Sequence, residues 1–266
     1  MRLSLIDAFT DAPFAGNPAA VCLLDGHASD RWRHSVAREL GFSETAYLLR
    51  LAEGVFGLRW FTPTVEVDLC GHATLASAHF LWEEELADRD APIRFETKSG
   101  PLLARRSGAG IELDFPSEPA RECPVPEDIL GALGARAAWV GRNRLDYLVL
   151  VAGEKDVRTL APDFPALATA CGENRGVMVT AVSDDPDFDF VSRYFAPAAG
   201  IDEDPVTGSA HCCLGPFWAE RLGKPDLRAF QASSRGGRLS VRVGEQRVYL
   251  GGNAVTIFRG ELAVPE

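Results

Sequence analysis

No apolar run in this 266-residue chain comes near the ~20 residues needed to cross a bilayer, and stretches such as Tyr147 to Ala152 stop far short. The amino-terminal segment Met1 to Asp7 alternates and then meets an aspartate, with no signal-peptide core behind it, so a cytoplasmic protein is expected. Basic residues are in deficit: 27 Lys and Arg stand against 38 Asp and Glu, for a net charge of −11. No stretch gathers a basic face, which argues against nucleic acid and against an anionic membrane as partners. No C-x-x-C pair exists. The six cysteines, Cys22, Cys70, Cys123, Cys171, Cys212 and Cys213, follow no secreted-scaffold or zinc spacing, so reduced thiols and no metal are expected. Also missing are H-E-x-x-H, G-x-S-x-G, a phosphate-binding Gly-x4-Gly-Lys-Ser/Thr loop and a complete G-x-G-x-x-G behind a strand. Neither metal nor nucleotide cofactor is indicated.

What the chain does contain is one statement made twice. Arg59-Trp60-Phe61-Thr62-Pro63 leads to Cys70-Gly71-His72-Ala73 and an apolar run reaching Phe80; Arg193-Tyr194-Phe195-Ala196-Pro197 leads to Thr207-Gly208-Ser209-Ala210 and a run reaching Phe217. Gly71 to Gly208 and Phe80 to Phe217 are both separations of 137, while Arg59 to Arg193 is 134. Two similar halves are implied. If each motif ends on a glycine at a helix N-terminus and the halves face each other, free backbone N–H groups can converge on one small anionic ligand. Such a geometry suits carbanion or enol chemistry.

The 46% hydrophobic content can fill cores in one large or two ordinary domains. Ser29-Asp30 caps a predicted helix Arg31 to Leu40 that Gly41 closes. Strands are expected at Arg2–Phe9, Val21–Leu24, Ala46–Arg50 and Phe56–Phe61, then at 93–97, 101–105 and 111–115. The run from His72 to about Ala87 is too apolar for a surface and predicts a buried helix wrapped by strands. Four prolines between Pro116 and Pro126 mark a crossing, so the halves are placed at 1–117 and 118–266, with a C-terminal strand as a candidate to complete the first. In the second half, helices are expected at 127–133 and 164–170, and strands at 138–140, 147–151 and 176–181. A buried helix from Gly208 to Leu222, kinked or broken at Gly215-Pro216, is followed by strands at 239–243, 248–250 and 254–261.

Several residues could carry chemistry. Glu44 lies between Ser43 and Thr45 before an apolar strand. On a surface turn it would be unremarkable; in a cleft it is a general base, with Phe42 and Tyr47 as an apolar wall and Ser43 and Thr45 to orient it. Asp204, in Asp202-Glu203-Asp204-Pro205, is either dipole-stabilised decoration of a helix start or a carboxylate fixed by Pro205, and the corresponding stretch of the first motif, Val67 to Cys70, also carries an acid close by, Asp68. His72 at a helix start should be pushed toward neutrality and could then donate to an oxyanion, although a satisfied core histidine is the alternative. Ser209 is its counterpart, able to cap the helix or to bind a substrate oxygen. Cys70, before a helix-opening glycine, has the setting of a lowered thiol pKa. A two-thiol racemase would need a partner cysteine at the other turn, where Thr207, Ser209 and Ala210 stand instead.

Asp7-Ala8-Phe9-Thr10, Phe14-Ala15-Gly16-Asn17-Pro18-Ala19-Ala20-Val21, Phe42-Ser43-Glu44-Thr45-Ala46, Cys70-Gly71-His72-Ala73-Thr74 and Asp204-Pro205-Val206-Thr207-Gly208-Ser209-Ala210-His211 together resemble the phenazine-biosynthesis PhzF-like isomerases. The resemblance runs from the first strand to Gly260. It implies an α/β (α+β) diaminopimelate epimerase-like fold: two pseudo-symmetric domains, each a curved mixed sheet around a central helix, with the active site in the cleft between them. It implies no cofactor and a homodimer. By this match Glu44 is the catalytic acid/base, assisted by His72, Asp204 and Ser209. Asn17, Ser43, Cys70, Gly71, Thr207 and Gly208 fall on or beside the ligand-holding turns. The implied reaction moves a proton between carbons, or faces of one carbon, of a small carboxylated metabolite. Two alternatives are a cysteine-dependent amino-acid epimerase or racemase using Cys70, and a non-catalytic metabolite-binding protein on the same fold.

Overall fold

The computed structural model describes residues 1–108, 110–124, 126–172 and 176–264, which fall into two compact units, Met1–Phe115 with Leu250–Glu266 and Pro116–Tyr249. In chain order the first unit contains β1 (Arg2–Ala8), β2 (Asn17–Leu24), α1 (Asp30–Leu40), β3 (Thr45–Ala52), β4 (Val55–Phe61), β5 (Glu66–Val67), α2 (Gly71–Glu83), β6 (Ile93–Thr97), β7 (Gly100–Ser107) and β8 (Gly110–Pro116). The second contains β9 (Arg121–Glu122), α3 (Glu127–Leu133), β10 (Trp139–Arg142), β11 (Asp146–Leu150), α4 (Glu154–Thr159), α5 (Phe164–Cys171), β12 (Gly176–Val182), β13 (Phe190–Ala196), β14 (Ile201–Asp204), α6 (Gly208–Leu222), β15 (Asp226–Gln231) and β16 (Gly237–Val243). β17 (Arg247–Gly252) ends that run, and β18 (Ala254–Glu261) returns to pair antiparallel with β1.

The duplicated motif is matched by duplicated topology. In the first unit β1 and β2 pair antiparallel, β2 and β3 parallel, β3 and β4 antiparallel, β4 and β6 parallel, and β6 and β7 antiparallel. In the second, β10 and β11, β11 and β12, β12 and β13, β13 and β15, and β15 and β16 repeat that series in the same order of senses. Each parallel step needs a crossover, which is where the helices lie. The short strands β5 and β14 hang on β4 and β13 as matching hairpins.

The arginine of each motif fixes that hairpin. Arg59 donates from Nε and Nη2 to the two Glu66 oxygens at 2.6 and 2.7 Å, and Arg193 does the same to Glu203 at 2.7 and 2.8 Å. Each guanidinium lies over the phenylalanine two residues on, 5.1 Å from the Phe61 centroid and 4.8 Å from that of Phe195. A planar fork over an aromatic face is geometry that lysine cannot reproduce. Burial alone would raise the Glu66 carboxyl, but Arg59 and Lys98 outweigh it and hold it below its usual range. Glu66 to Glu203 is again 137 residues. The three-residue mismatch therefore lies inside the second hairpin, where Pro197–Ala199 forms a short 3-10 turn.

Helix α1 is built as the sequence predicts: Ser29 Oγ accepts from Trp32 N, and Gly41, at φ 70°, closes it. Its buried face, including Val36 and Ala37, packs with Cys22, Leu24, Tyr47 and Phe61. Helix α2 is buried along nearly its whole length and packs on β1, β2, β3 and β18, as α6 packs on β15 and β16. The few polar residues of α2 turn inward on its own backbone, with Thr74 donating to Cys70 O at 2.6 Å and Ser77 to Ala73 O at 2.7 Å. Each large side chain it buries, such as Phe80 or Leu81, contributes ~2 kcal/mol of apolar burial.

The end of the first of these helices and the continuity of the second have local reasons. The first ends at Glu83 instead of Ala87, because Glu85 adopts φ 55° and Leu86 N folds back onto Leu81 O. The second neither breaks nor stops at Pro216. The carbonyl that Pro216 leaves without its helical donor is that of Cys212, and it receives Glu118 N at 3.0 Å instead.

Candidate active site

In the first unit the strand order sets Glu44, just before β3, beside the start of α2. His72 Nε2 lies 3.3 Å from Glu44 Oε2, with the two side chains only 4% and 13% exposed. Asn17 Nδ2 donates to His72 Nδ1 at 3.1 Å. An amide nitrogen only donates, so with the amide in this orientation Nδ1 is the bare nitrogen and the ring proton is on Nε2. Burial lowers the His72 pKa to about 3, which keeps the ring neutral. Cys70 Sγ is 3.5 Å from Nδ1 and 4.0 Å from Nε2. Glu44, Cys70 and His72 thus present a carboxylate oxygen, a sulfur and an imidazole nitrogen, all within 4.8 Å of one another.

Gly71 is the first residue of α2, and the side chain of Cys70, at the capping position, makes no capping hydrogen bond. A helix start without that cap has first-turn N–H groups suited to an acceptor from outside the helix. Ser43 Oγ and Thr45 Oγ1 are buried without a hydrogen-bond partner among the described residues, so neither orients Glu44 as the sequence suggested. Tyr47 does not form a wall for it either: it packs on α1, with its hydroxyl donating to Arg33 O at 2.7 Å. Asn17 is delivered by a loop that sequence reasoning did not credit to Asp7. Buried Asp7 accepts Phe14 N through Oδ2 at 2.7 Å, while Gly16 sits at φ +65° with Ala8 O only 2.1 Å from where a Cβ would be. The sequence signals for Asp7 were an acid interrupting an apolar strand and its place in the first of the five family motifs.

In the second unit Asp204 ends β14 and Thr207 precedes α6. Thr207 Oγ1 donates to Asp204 Oδ2 at 2.5 Å instead of capping the helix, so α6 also begins uncapped at Gly208. Ser209 holds in α6 the second-residue place that His72 holds in α2, and it is half-buried. It is not the cap that one reading offered, because Thr207 occupies that position. The acid of the first motif, Asp68, stands one residue beyond the position equivalent to Asp204. The ladders put Asp204 opposite Tyr194 and Val67 opposite Trp60, so the matching residue in the first motif is apolar.

The turn is braced by Gln231, a fully buried residue at the end of β15 that nothing in the sequence singled out. Its Oε1 accepts Thr207 N at 2.8 Å, and its Nε2 donates to Asp204 O at 2.7 Å and to Thr207 Oγ1 at 3.1 Å. His211 stacks at 30° to Phe190, with Nδ1 2.8 Å from Thr207 O; burial, partly opposed by that bond, lowers its pKa to about 4. Cys212 and Cys213 are buried, and burial pushes the Cys213 thiol up to about 12.

A duplicated mixed-sheet unit, each copy threading an apolar helix that opens on an uncapped glycine, is architecture of the racemase and epimerase class. Residues 6–260 match the PhzC-PhzF family, described as phenazine biosynthesis-like protein, and the chain belongs to that family. It is 51% identical over 259 residues to an uncharacterized isomerase of Halalkalibacterium halodurans, covering 97% of each chain. A crystal structure of a PhzF-family phenazine biosynthesis protein from Enterococcus faecalis superposes with a TM-score of 0.93 at 39% identity, covering 99% of both chains. A probable proline racemase from Agrobacterium radiobacter, solved with bound carbonate, gives 0.66 at 12% identity, over 99% of this chain and 93% of that one; this likeness is of fold alone. The fold is the α/β diaminopimelate epimerase-like one that the five motifs imply. Among the described residues no helix is long and apolar enough to cross a membrane.

Proposed function

We propose that this protein is an isomerase of the PhzF type that shifts a proton between carbons, or between faces of one carbon, of a small carboxylated metabolite. Isomerase chemistry in general is supported by the family and by the relative named an isomerase. The finer reading rests on one observation: a nearly buried carboxylate, Glu44, 3.3 Å from a histidine held neutral by burial, at the open start of a helix. Glu44 takes the proton from carbon and returns it. His72, with its own proton affinity depressed, does not compete for that proton and keeps its N–H within 3.3 Å of the carboxylate as a neutral neighbour. Negative charge developing on a substrate oxygen is stabilised by the free N–H groups of a glycine-led helix start. Asp204, Thr207 and Ser209, at the equivalent start of α6, belong to the proposal as assisting groups, and Asn17 and Ser43 as ligand contacts. The proposal also includes a homodimeric, cytoplasmic enzyme working without a cofactor.

The test is incorporation of solvent deuterium into a substrate carbon during turnover in heavy water, with candidate carboxylated metabolites first chosen by thermal shift. Glu44→Gln should lower the exchange ~10²–10⁴-fold while the circular dichroism is unchanged. Exchange that persists in that variant removes Glu44 from the role. Kinetic coupling of Glu44→Gln with Asp204→Asn then reads whether the second polar group acts in the same reaction.

The contact between Cys70 Sγ and His72 supports a second reading, in which the thiol is the acid/base of an epimerase. A paired-thiol mechanism finds no second cysteine at the α6 start, since Cys212 and Cys213 lie deeper in that buried helix. Full turnover in Cys70→Ser would end this alternative.

A further inference from the structure

We infer that Glu44, Cys70 and His72 together form a binding site for a thiophilic divalent cation, zinc in particular. Among the described residues they are the one group of three such donors close enough to share an ion, and they bring a sulfur, an imidazole nitrogen and a carboxylate oxygen from two separate segments of the unit. Zinc takes sulfur at about 2.3 Å and nitrogen or oxygen at about 2.0–2.2 Å, so a tetrahedral ion needs N···O near about 3.3 Å and S···N near about 3.6 Å. The structure has His72 Nε2 at 3.3 Å from Glu44 Oε2 and at 4.0 Å from Cys70 Sγ. The nitrogen–oxygen edge already fits, and the sulfur must close in by side-chain rotation, by about half an ångström toward the nitrogen and by up to about an ångström toward the oxygen, which lies within 4.8 Å of it.

Charge agrees with geometry. One carboxylate and one thiolate offset the two positive charges of the ion, the thiol proton leaving to solvent as sulfur binds, and the imidazole adds a neutral ligand. The positive end of α2 opposes the cation, which two anionic donors outweigh at bonding distance. Zinc takes the lone pair of Nε2, so the ring proton moves from Nε2 to Nδ1, and Asn17 turns its amide to accept it through Oδ1, holding the imidazole plane as outer-shell partners do in metal sites. Three protein ligands leave a fourth position for water or for a carboxylate. Partial exposure of Glu44 gives the ion its way in. Occupancy occupies the groups proposed for proton transfer, so the ion acts as an inhibitor and not as a helper; binding itself does not depend on the isomerase reading.

The experiment is calorimetric titration of the full chain with zinc chloride, without substrate. One equivalent should bind at micromolar protein, with affinity falling at least ~10-fold in Cys70→Ala and in Glu44→Gln and unchanged in Cys123→Ser. Cobalt(II) should give a sulfur-to-metal charge-transfer band that disappears in Cys70→Ala. Because a variant can fail to fold, the wild type supplies an independent measure: zinc should slow alkylation of Cys70 by iodoacetamide, read by peptide mass spectrometry. No stoichiometric binding, unchanged affinity in either ligand variant, or alkylation of Cys70 indifferent to zinc overturns the site. Failure of the isomerase reading leaves all three measurements unaffected.

Discussion

Two histidines buried in the neutral form tie the stability of this protein to mild acid. His72 is held at a pKa of about 3 and His211 at about 4, burial being the leading cause for both, against an ordinary value of 6.5. In the unfolded chain both return to that ordinary value, so below it the unfolded state binds more protons than the folded one, and stability falls as pH falls until the folded values are reached. One pKa unit corresponds to about 1.36 kcal/mol, so between about pH 7 and about pH 5 each histidine withdraws ~2 kcal/mol and the pair ~4 kcal/mol. Against a total of roughly 5–15 kcal/mol for a folded domain, that is a large fraction. The assay is urea unfolding at several pH values and constant ionic strength, for the wild type, His72→Asn, His211→Gln and the double variant. Each substitution carries its own stability cost, but the quantity read is the slope of stability against pH. Carboxylates depressed by their partners, such as Asp30 beside Arg59 at about 2, contribute equally to every variant and cancel. Each single variant should flatten the acid limb by ~2 kcal/mol over this range. A double variant with the wild-type slope would refute the reasoning, because the histidines would then not be held neutral.

Three further outcomes follow from local geometry. Gly16→Ala must both accept φ +65° and displace Ala8 O, so it should cost ~2–4 kcal/mol and lower turnover through Asn17, whereas Gly41→Ala, at φ +70° in open space, should cost only ~1 kcal/mol; urea unfolding compares them. Gln231→Leu leaves the Asp204 carbonyl and the Thr207 amide without their buried partner and should destabilise by ~2–4 kcal/mol in the same measurement. Arg59→Lys and Arg193→Lys keep the charge but lose the two-pronged bond to Glu66 and Glu203, and each should lower stability by ~1–2 kcal/mol, the loss being larger for Arg193, which also donates to the Val157 and Leu160 carbonyls and is the less exposed of the two; urea unfolding compares them.

The fold class was legible because its signals are local and repeated. Ser29 and Gly41 fix the ends of α1 whatever packs on it, and the apolar run after Gly71 is incompatible with a surface helix. What sequence reading missed depends on partners distant along the chain. The two-residue strand β5 and the four-residue β14 are too short to show periodicity, and they exist because Arg59 and Arg193 hold Glu66 and Glu203. Helix α6 continues through Pro216 because Glu118, almost a hundred residues earlier, supplies the donor for the carbonyl that the proline abandons. At the candidate site the residue types around Glu44 were readable, but the direction of a hydroxyl was not. Ser43 and Thr45 flank the acid in sequence, yet neither bonds to a described residue. Gln231 sits in an ordinary strand whose sequence reveals nothing of the turn it braces.

The two copies separate scaffold from chemistry. Both keep the arginine fork, the phenylalanine beneath it and a glycine opening a buried helix. Two of their differences bear on the candidate site. The second residue of the helix is His72 in one copy and Ser209 in the other, and the strand position before the turn is Val67 in one and Asp204 in the other. A motif preserved only for packing gains nothing from a buried imidazole whose neutral state costs acid stability, or from a buried aspartate that diverts Thr207 from capping. Both substitutions weaken the fold locally while leaving a polar group at the open end of a helix. Each cost falls beside a helix start, although at different positions of the two repeats, and that supports the proposal that the chemistry is done there.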